Sequence, residues 1–226
     1  MLLGVGAVAT KTYVDDIFHT QVFKSTNQNA DYKVTNNIDN SGEGGLLWYK
    51  DRSGSNWHLL WDTERGSNKY IYSNSNSGGS TAELLKSFDS DGYTIKTGTT
   101  LLDTSRENVL WNFRKAPGFL DCIKYTGSGS NRTIAHSLAS VPGMIIIKNV
   151  TDAWNWRIYH RSTGETKFLQ LNSTNAEGND NGAIFNGGKP TASVFSVGTD
   201  ETVNKNGDEY VAYLFGGGES PASEAR

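Results

Sequence analysis

Apolar residues in this chain are grouped in short runs, which are separated by polar turns rich in Gly, Ser and Asn. The runs at 46–50 (LLWYK), 109–113 (VLWNF), 144–148 (MIIIK) and 210–215 (YVAYLF) consist largely of aromatic and aliphatic residues. Residues of this kind, bounded by turn-forming residues, are typical of β-strands. The pattern therefore predicts an all-β protein in which short strands are joined by turns.

Two segments, 45–66 and 143–164, follow one sequence plan. Each opens on Gly, runs through strand-forming residues to a Lys, crosses a polar turn, resumes at an Asn-Trp pair and ends on Gly. The two lysines, Lys50 and Lys148, are 98 residues apart. Because solenoid repeats are only about 20–50 residues long, this longer period favours two duplicated domains.

The predicted fold is a pair of tandem, duplicated β-sandwich modules of jelly-roll-like topology. We place module 1 at residues 20–120 and module 2 at residues 121–216. Residues 1–19 are expected to form an N-terminal docking arm that includes a short helix. Residues 217–226 are rich in Gly, Ser and Pro, which is the composition of a linker or a tail.

Composition limits the partners and the compartment. A formal net charge of −3 and a sequence pI near 5.8 argue against a nucleic-acid interface, which needs a basic face. No apolar run approaches the ~18 residues of a membrane span. The lone cysteine, Cys122, excludes an internal disulfide and is expected to be a small buried hydrophobe, as in a protein made for a reducing cytoplasm.

Known catalytic and metal-binding motifs do not fit this chain. Residues 182–189 (GAIFNGGK) come closest to a phosphate-binding loop, but the Lys is displaced by one position and Pro190 follows it. The four histidines have no metal-ligand spacing. We therefore expect a protein that is not an enzyme and that uses no metal and no cofactor.

The beginning of the chain is apolar and has the character of a docking arm. The segment MLLGVGAVAT carries no charge, and residues 12–18 (TYVDDIF) fit a short amphipathic helix with Thr12 as its N-cap. Exposed aromatic residues beside an apolar arm suit attachment to a larger assembly, although a disordered end is an equally open alternative. The candidate docking residues are Leu2, Leu3, Val5, Tyr13, Ile17 and Phe18.

Tryptophans offer a second kind of site, because an indole can stack on the apolar face of a sugar ring. Trp57 and Trp156 belong to the repeated Asn-Trp pairs, so a structural core explains them better than a sugar site does. Trp154 has no counterpart in the first repeat and falls in a turn. It is therefore the better candidate for an exposed ligand-binding residue.

Several motifs, in this order and spacing, resemble a module that is found, often in tandem, in virion structural proteins of marine bacteriophages, usually called tail, tail-fibre or structural proteins. The resemblance spans roughly residues 12–216. It includes no catalytic residues. The motifs are GLLWYKDR with NWHLLWDTERG, SFDSDGYTI, VLWNFRKAPGF, YTGSGSNRTIAHSLASVPGMIIIKN, WRIYHRST and YVAYLF.

One motif differs between the two copies. Residues 62–66 (DTERG) become HRSTG at 160–164. If this motif binds a ligand, only the first copy does so, and Asp62 and Arg65 join Trp154 as candidate ligand-surface residues.

The resemblance implies a protein that is assembled into a phage particle in the host cytoplasm. We expect a non-enzymatic tail, fibre or head-decoration component that docks on other virion proteins through its N-terminus and projects its β modules, with adhesion to a host glycan as a further task. Analogy with phage fibres favours a homotrimer. The alternative function is a carbohydrate-binding module or lectin, and a polysaccharide depolymerase is a more distant third.

Overall fold

The computed structural model describes residues 12–218, and these residues are folded almost wholly into antiparallel β-structure. Strands account for 42% of these described residues and helices for 5%, so the predicted all-β class is confirmed. Residues Leu2, Leu3 and Val5 of the predicted arm, and 219–226 of the predicted tail, lie outside the described range. Within that range, no helix is long and apolar enough to cross a membrane.

Residues 18–114 are called here the N-terminal half. A six-stranded sheet of order β1-β9-β3-β4-β5-β6 is faced by a three-stranded sheet of order β2-β8-β7. Two short 3₁₀ helices, Val14–Asp16 and Thr100–Leu102, precede β1 and β9. The strands are β1 (Phe18–Lys24), β2 (Tyr32–Thr35), β3 (Gly45–Asp51), β4 (Leu59–Asp62), β5 (Lys69–Tyr72), β6 (Ser80–Thr81), β7 (Leu85–Asp89), β8 (Gly92–Ile95) and β9 (Glu107–Arg114).

Residues 120–216 are called the C-terminal half. It has a four-stranded sheet of order β10-β17-β12-β13, the pairs β11-β16 and β14-β15, and one helical turn, α1 (Glu201–Asn204). Its larger sheet joins the first, last, third and fourth strands of the half, as β1-β9-β3-β4 does in the N-terminal half. The strands are β10 (Leu120–Thr126), β11 (Arg132–Ala135), β12 (Pro142–Asn149), β13 (Arg157–His160), β14 (Lys167–Phe168), β15 (Gly178–Asn179), β16 (Val194–Val197) and β17 (Glu209–Gly216).

Each half has its own apolar core between its larger and its smaller sheet. In the N-terminal half this core includes Tyr49, Trp61 and Tyr93. In the C-terminal half it includes Ile147 and Phe195. Each core therefore lies between a large sheet and a small one.

A third core, the central cluster, joins the two halves. It is formed by Leu46, Leu60 and Ile71 from the six-stranded sheet and by Ile146, Trp156 and Tyr213 from the four-stranded sheet. The two larger sheets therefore pack face to face, and the molecule has four layers. Cys122 lies in this cluster as a free, buried thiol, and burial raises its pKa, which confirms the predicted role as a small hydrophobe.

The stacking of the sheets explains why β3 has no alternation of apolar and polar residues. Leu46 belongs to the central cluster, and Leu47, on the opposite face, belongs to the core of the N-terminal half. Consecutive side chains of a strand point to opposite faces, so a strand between two cores must be apolar at successive positions. Strand β3 is therefore covered on both faces.

The local prediction for residues 12–18 is wrong. The amphipathic helix expected at residues 12–18 is a single 3₁₀ turn, in which the Tyr13 backbone N–H donates to Asp16 Oδ2 at 2.8 Å, and Phe18 already belongs to β1. Strand β4 begins only at Leu59. Trp57 lies in the loop before it, and 48% of its surface is exposed.

Candidate functional site

Asp62 and Arg65 lie in the interior, so their expected place on a ligand surface is wrong. Arg65 Nε donates to Asp62 Oδ2 at 2.6 Å, and the hydroxyl of Tyr213, from the other half, donates to the same oxygen at 2.7 Å. Asp62 is fully buried, and Arg65 nearly so. The motif that distinguishes the first repeat is therefore a structural contact between the halves.

Asp62, Arg65 and Tyr213 form a buried triad, in which the opposite charges of Asp62 and Arg65 offset each other. Burial opposes the charge of Arg65, but the adjacent Asp62 carboxylate and the Tyr213 hydroxyl raise the pKa of the guanidinium. Burial and the same carboxylate raise the pKa of Tyr213. Tyr213 therefore stays protonated and remains a hydrogen-bond donor to Asp62.

Trp154 is half-buried, and its backbone has a structural role. Its carbonyl oxygen accepts a hydrogen bond from Lys148 Nζ at 2.9 Å. Lys148 is fully buried and also donates to the carbonyls of Asn76, at 3.1 Å, and Asn149, at 2.7 Å. Burial lowers the pKa of Lys148 to about 8. This lysine ties the turn that carries Trp154 to a loop of the other half.

The two tryptophans of the repeated Asn-Trp pairs are not structural equivalents. Tyr49 pairs with Leu59 in the N-terminal half, and Ile147, which lies 98 residues after Tyr49, pairs with Arg157, 98 residues after Leu59. By this register, the counterpart of Trp57 is Asn155, and that of Trp156 is His58. A shift of one residue moves a side chain to the opposite face of a sheet.

The consequence of this shift is visible in burial. Trp156 is fully buried in the central cluster, where its Nε1 donates to the carbonyl of Tyr72 at 3.0 Å. Trp57 is exposed on the opposite side of the six-stranded sheet, away from the C-terminal half. The expected core position is confirmed for Trp156 and wrong for Trp57.

Trp57 forms the rim of an open cavity of about 400 Å³, which we call the aromatic groove. Buried Tyr49, Leu59 and Leu101 form its floor. The complete lining is Tyr49, Ser55, Asn56, Trp57, Leu59, Tyr70, Tyr72, Leu84, Thr100, Leu101 and Arg106.

Three aromatic rings form one wall of the aromatic groove. The Trp57 and Tyr72 ring centroids are 4.5 Å apart with an interplanar angle of 84°, and the Tyr70 and Tyr72 centroids are 5.4 Å apart at 79°. Such edge-to-face packing is a favourable arrangement of aromatic rings. Burial, together with the hydrogen bond to Tyr70, raises the pKa of Tyr72 to about 12. Its hydroxyl is therefore protonated at neutral pH.

Arg106 supplies the charged side of the aromatic groove. Its Nε lies 3.5 Å from Asp103 Oδ2 and 3.7 Å from Asp51 Oδ2. Asp51 is itself fixed by the backbone N–H and the hydroxyl of Ser53, both at 2.9 Å from its Oδ1. Two carboxylates thus hold one guanidinium, and the groove combines a planar cation with a half-exposed indole.

The region of the C-terminal half that corresponds to the aromatic groove is covered by the side chain of Arg157. Arg157, at the position that corresponds to Leu59, lies over the ring of Phe168 with its guanidinium carbon 4.7 Å from the ring centroid. Phe168 corresponds to Tyr70 at the same spacing of 98 residues. A long cationic side chain therefore covers the aromatic ring that is free to line a groove in the N-terminal half.

A second depression, about 360 Å³ in volume, is lined almost entirely by aromatic residues, and we call it the aromatic depression. Its lining is Phe18, Trp48, His58, Trp111 and Phe113. Of the predicted docking residues, Phe18 lies here, with its ring centroid 4.9 Å from that of Phe113. Tyr13 is highly exposed, and Ile17 is half-buried.

Sequence reasoning missed Tyr70, Tyr72 and Arg106, which line the aromatic groove together with Trp57. One signal for the tyrosines was present. The segment KYIY at 69–72 places both rings on one face of a strand, because residues two apart point the same way. Nothing in the local sequence marks Arg106, since it reaches the groove from the loop before β9.

Among residues 12–218, no group of three or more His, Cys, Asp or Glu side chains is arranged to hold a metal ion. No curated protein and no solved structure matches the chain significantly. A family match extends over residues 15–220, and so includes both halves and the aromatic groove. The chain therefore belongs to the family described as Domain of unknown function (DUF7483).

Proposed function

We propose that this chain is a non-enzymatic structural component of a bacteriophage particle, and that its N-terminal half binds a glycan through the aromatic groove. The observation that carries the binding role is the position of Trp57. Its indole is half exposed at the rim of a 400 Å³ groove, beside two tyrosines and a fixed guanidinium. Solvent-exposed aromatic rings with a few polar partners are a recurring feature of ligand sites.

A sugar fits this combination better than an apolar ligand does. The apolar C–H face of a pyranose can stack on the Trp57 indole, while its hydroxyls accept from Arg106 and exchange hydrogen bonds with Asn56 and Thr100 on the groove lining. The volume lies within the roughly 300–1,000 Å³ that is common for small-molecule sites. Because Asp51 and Asp103 offset the charge of Arg106, a neutral sugar is favoured over an acidic one.

The virion role is supported by the resemblance to marine phage structural proteins and by the aromatic depression. Phe18 adds one ring to a cluster that includes Trp48 and Trp111, whose centroids are 6.3 Å apart. Exposed apolar patches mark interaction sites. In this proposal the protein assembles in the host cytoplasm as a homotrimer and docks on other virion proteins through the arm, with Leu2, Leu3, Val5, Tyr13, Ile17 and Phe18 as the contacts.

We also propose that the two halves are tandem, duplicated β-sandwich modules at residues 20–120 and 121–216. Two equivalent contacts support this. Lys50 Nζ donates to the carbonyl of Asn56 at 2.6 Å, and Lys148 Nζ donates to that of Trp154 at 2.9 Å, with both partners shifted by 98 residues. The recurring strand order of the larger sheets supports the same conclusion.

A glycan array with purified wild-type and variant protein tests the binding role. Trp57→Ala removes the stacking surface, and loss of a central aromatic contact of about 2 kcal/mol corresponds to a fall in affinity of roughly 30-fold. Trp154→Ala is the matched control, since Trp154 is half-buried and lies in the other half; its affinity should equal that of the wild type. Absence of wild-type binding to any host glycan, or an equal loss in both variants, would refute the proposal.

Mass spectrometry of purified phage particles tests the virion role independently. The expected result is a fixed ratio of this chain to the major capsid protein. Particles that lack the chain would exclude it as a structural component without affecting the glycan proposal. Analytical ultracentrifugation of the free protein tests the trimer.

A further inference from the structure

A small cavity of about 180 Å³ lies at the seam between the two halves, and we call it the seam cavity. It is on the opposite side of β5 from the aromatic groove, because the side chains of Lys69 and Ile71 lie on the face toward the C-terminal half, and those of Tyr70 and Tyr72 lie on the other face. Its lining comes from both halves: Arg65, Lys69, Gly79, Ser80 and Thr81, and Lys124, Val150 and Glu209.

Cationic groups outnumber anionic groups in this lining. Lys124 Nζ is paired with Glu209 at 3.0 Å, so these two charges offset one another. Arg65 is offset by Asp62, which lies behind it. Lys69, in contrast, has no ion-pair partner among residues 12–218, so the seam cavity keeps a positive charge although the whole chain is formally −3.

The seam cavity also offers hydrogen-bond donors that are not in use. Within the described part of the chain, Arg65 Nη1 is buried without a hydrogen-bond partner. The hydroxyl groups of Ser80 and Thr81 line the same space, and no partner for either is found among residues 12–218. A buried donor without a partner is costly. Because Arg65 Nη1 has almost no accessible surface, an anion in the cavity would meet the hydroxyls of Ser80 and Thr81 instead.

We propose that the seam cavity binds a tetrahedral oxyanion, a phosphate or a sulfate. Lys69 supplies the net charge, and the hydroxyls of Ser80 and Thr81 donate to its oxygens. Lys124 and Arg65, each offset by its own carboxylate, complete the lining of the cavity. The volume is several times the roughly 30 Å³ that one water occupies in the liquid, so the cavity admits a group of this size. Such an anion would bridge the two halves, because the lysines come from different sheets.

The site is independent of the aromatic groove, since the two lie on opposite faces of the six-stranded sheet. The oxyanion can be a free ion or the terminal group of a larger molecule. Inorganic phosphate probes the first source, and galactose 6-sulfate probes the second. A response to both probes identifies the oxyanion group itself as what is recognised, and stronger binding of the sugar sulfate identifies the larger molecule.

Thermal unfolding of the full chain tests the proposal, with sodium phosphate compared against sodium chloride at equal ionic strength. At a phosphate concentration about ten times the dissociation constant, we expect Tm to rise by about 3–6 °C. Lys69→Ala removes the unpaired cation from an exposed position and should abolish this rise. Lys167→Ala is the matched control, because Lys167 corresponds to Lys69 at a spacing of 98 and pairs with Glu177 instead.

Isothermal titration calorimetry with both probes is the second measurement and does not depend on Tm. Heat of phosphate binding in the wild type and in Lys167→Ala, and none in Lys69→Ala, would establish the site. The part of the sugar-sulfate heat that is lost in Lys69→Ala belongs to the same site, because the aromatic groove can bind the sugar separately. Phosphate and the sugar sulfate without effect on the wild type would overturn it. So would an equal response of Lys69→Ala, because the anion would then bind elsewhere.

Discussion

In each half, corresponding strands form the face of the larger sheet that points away from the other half. The side chains on these two faces differ. In the N-terminal half, Leu59 leaves the rings of Trp57, Tyr70 and Tyr72 around an open groove. In the C-terminal half, the corresponding position holds Arg157, whose guanidinium lies over Phe168. The two surfaces therefore differ at Leu59 and Arg157, and also at Trp57, whose counterpart is Asn155: one is an open groove, and the other is covered by a long cationic side chain.

The difference also shows how sensitive a β-sheet is to register. The two Asn-Trp pairs look equivalent in the sequence, but the pairing of β3 with β4, and of β12 with β13, places them one residue apart. A one-residue shift inverts the face of every following side chain. Trp156 is consequently part of the contact between the halves, whereas Trp57 is half exposed at the rim of the aromatic groove.

The largest expected effect is the difference in unfolding free energy between alanine variants of these two tryptophans. Trp156→Ala should lower the free energy of unfolding by about 4–5 kcal/mol, because it removes a fully buried indole and leaves the Tyr72 carbonyl without its donor. Trp57→Ala should change it by less than about 1 kcal/mol, since much of the side chain is exposed. Urea unfolding of both variants measures the difference; similar losses would mean that the two positions are equivalent after all.

The buried triad gives a second contrast between the halves. Asp62→Asn removes the carboxylate and leaves the charge of Arg65 buried and uncompensated, which should cost about 3–4 kcal/mol. His160→Asn, at the corresponding half-buried position, should cost less than about 1 kcal/mol. Chemical unfolding at neutral pH measures both. A small loss in Asp62→Asn would show that the ion pair does not stabilise the contact between the halves.

The buried Lys148 gives the smallest of the three expected effects, a dependence of stability on pH. The pKa of Lys148 is about 8 in the folded protein, below the value of about 10.4 in the unfolded chain. Between these values the unfolded state binds more protons, so stability rises with pH. Relative to Lys148→Met, the wild type should gain about 2 kcal/mol between pH 8 and pH 10.

Lys50→Met is the control for that measurement, because Lys50 is only half-buried and holds the corresponding turn. Urea unfolding at each pH gives the free energies for the wild type and both variants. A pH-independent difference between the wild type and Lys148→Met would contradict the lowered pKa.

The strands with strong local signals could be predicted from the sequence. Runs such as 46–50 and 144–148 lie within β3 and β12, because aromatic and branched residues favour a pleated, covered surface. The helical turn α1 was not predicted. It is a single turn, begun by an Asp200 side chain that accepts from the Thr202 N–H at 2.8 Å, and it is too short to show helical periodicity.

The candidate site was less accessible to sequence reasoning, because its determinants are non-local. The sequence suggests a surface position for Asp62 and Arg65, because charged side chains are seldom fully buried without a partner. Their partner, Tyr213, is 151 residues away from Asp62 in the chain. Trp57 was assigned to the core by an apparent match with Trp156, and only the strand register could separate the two.

The central cluster has a mechanical consequence. The two larger sheets share a buried apolar layer and are joined by the Tyr213–Asp62 and Trp156–Tyr72 hydrogen bonds. Either half alone would therefore expose apolar surface to water. Cleavage of the short connection between β9 and β10 should leave the two halves associated as one folded protein rather than as two free domains. Heating should unfold both halves in one cooperative transition. For the same reason, a force applied at either end of the chain should be resisted by both halves together.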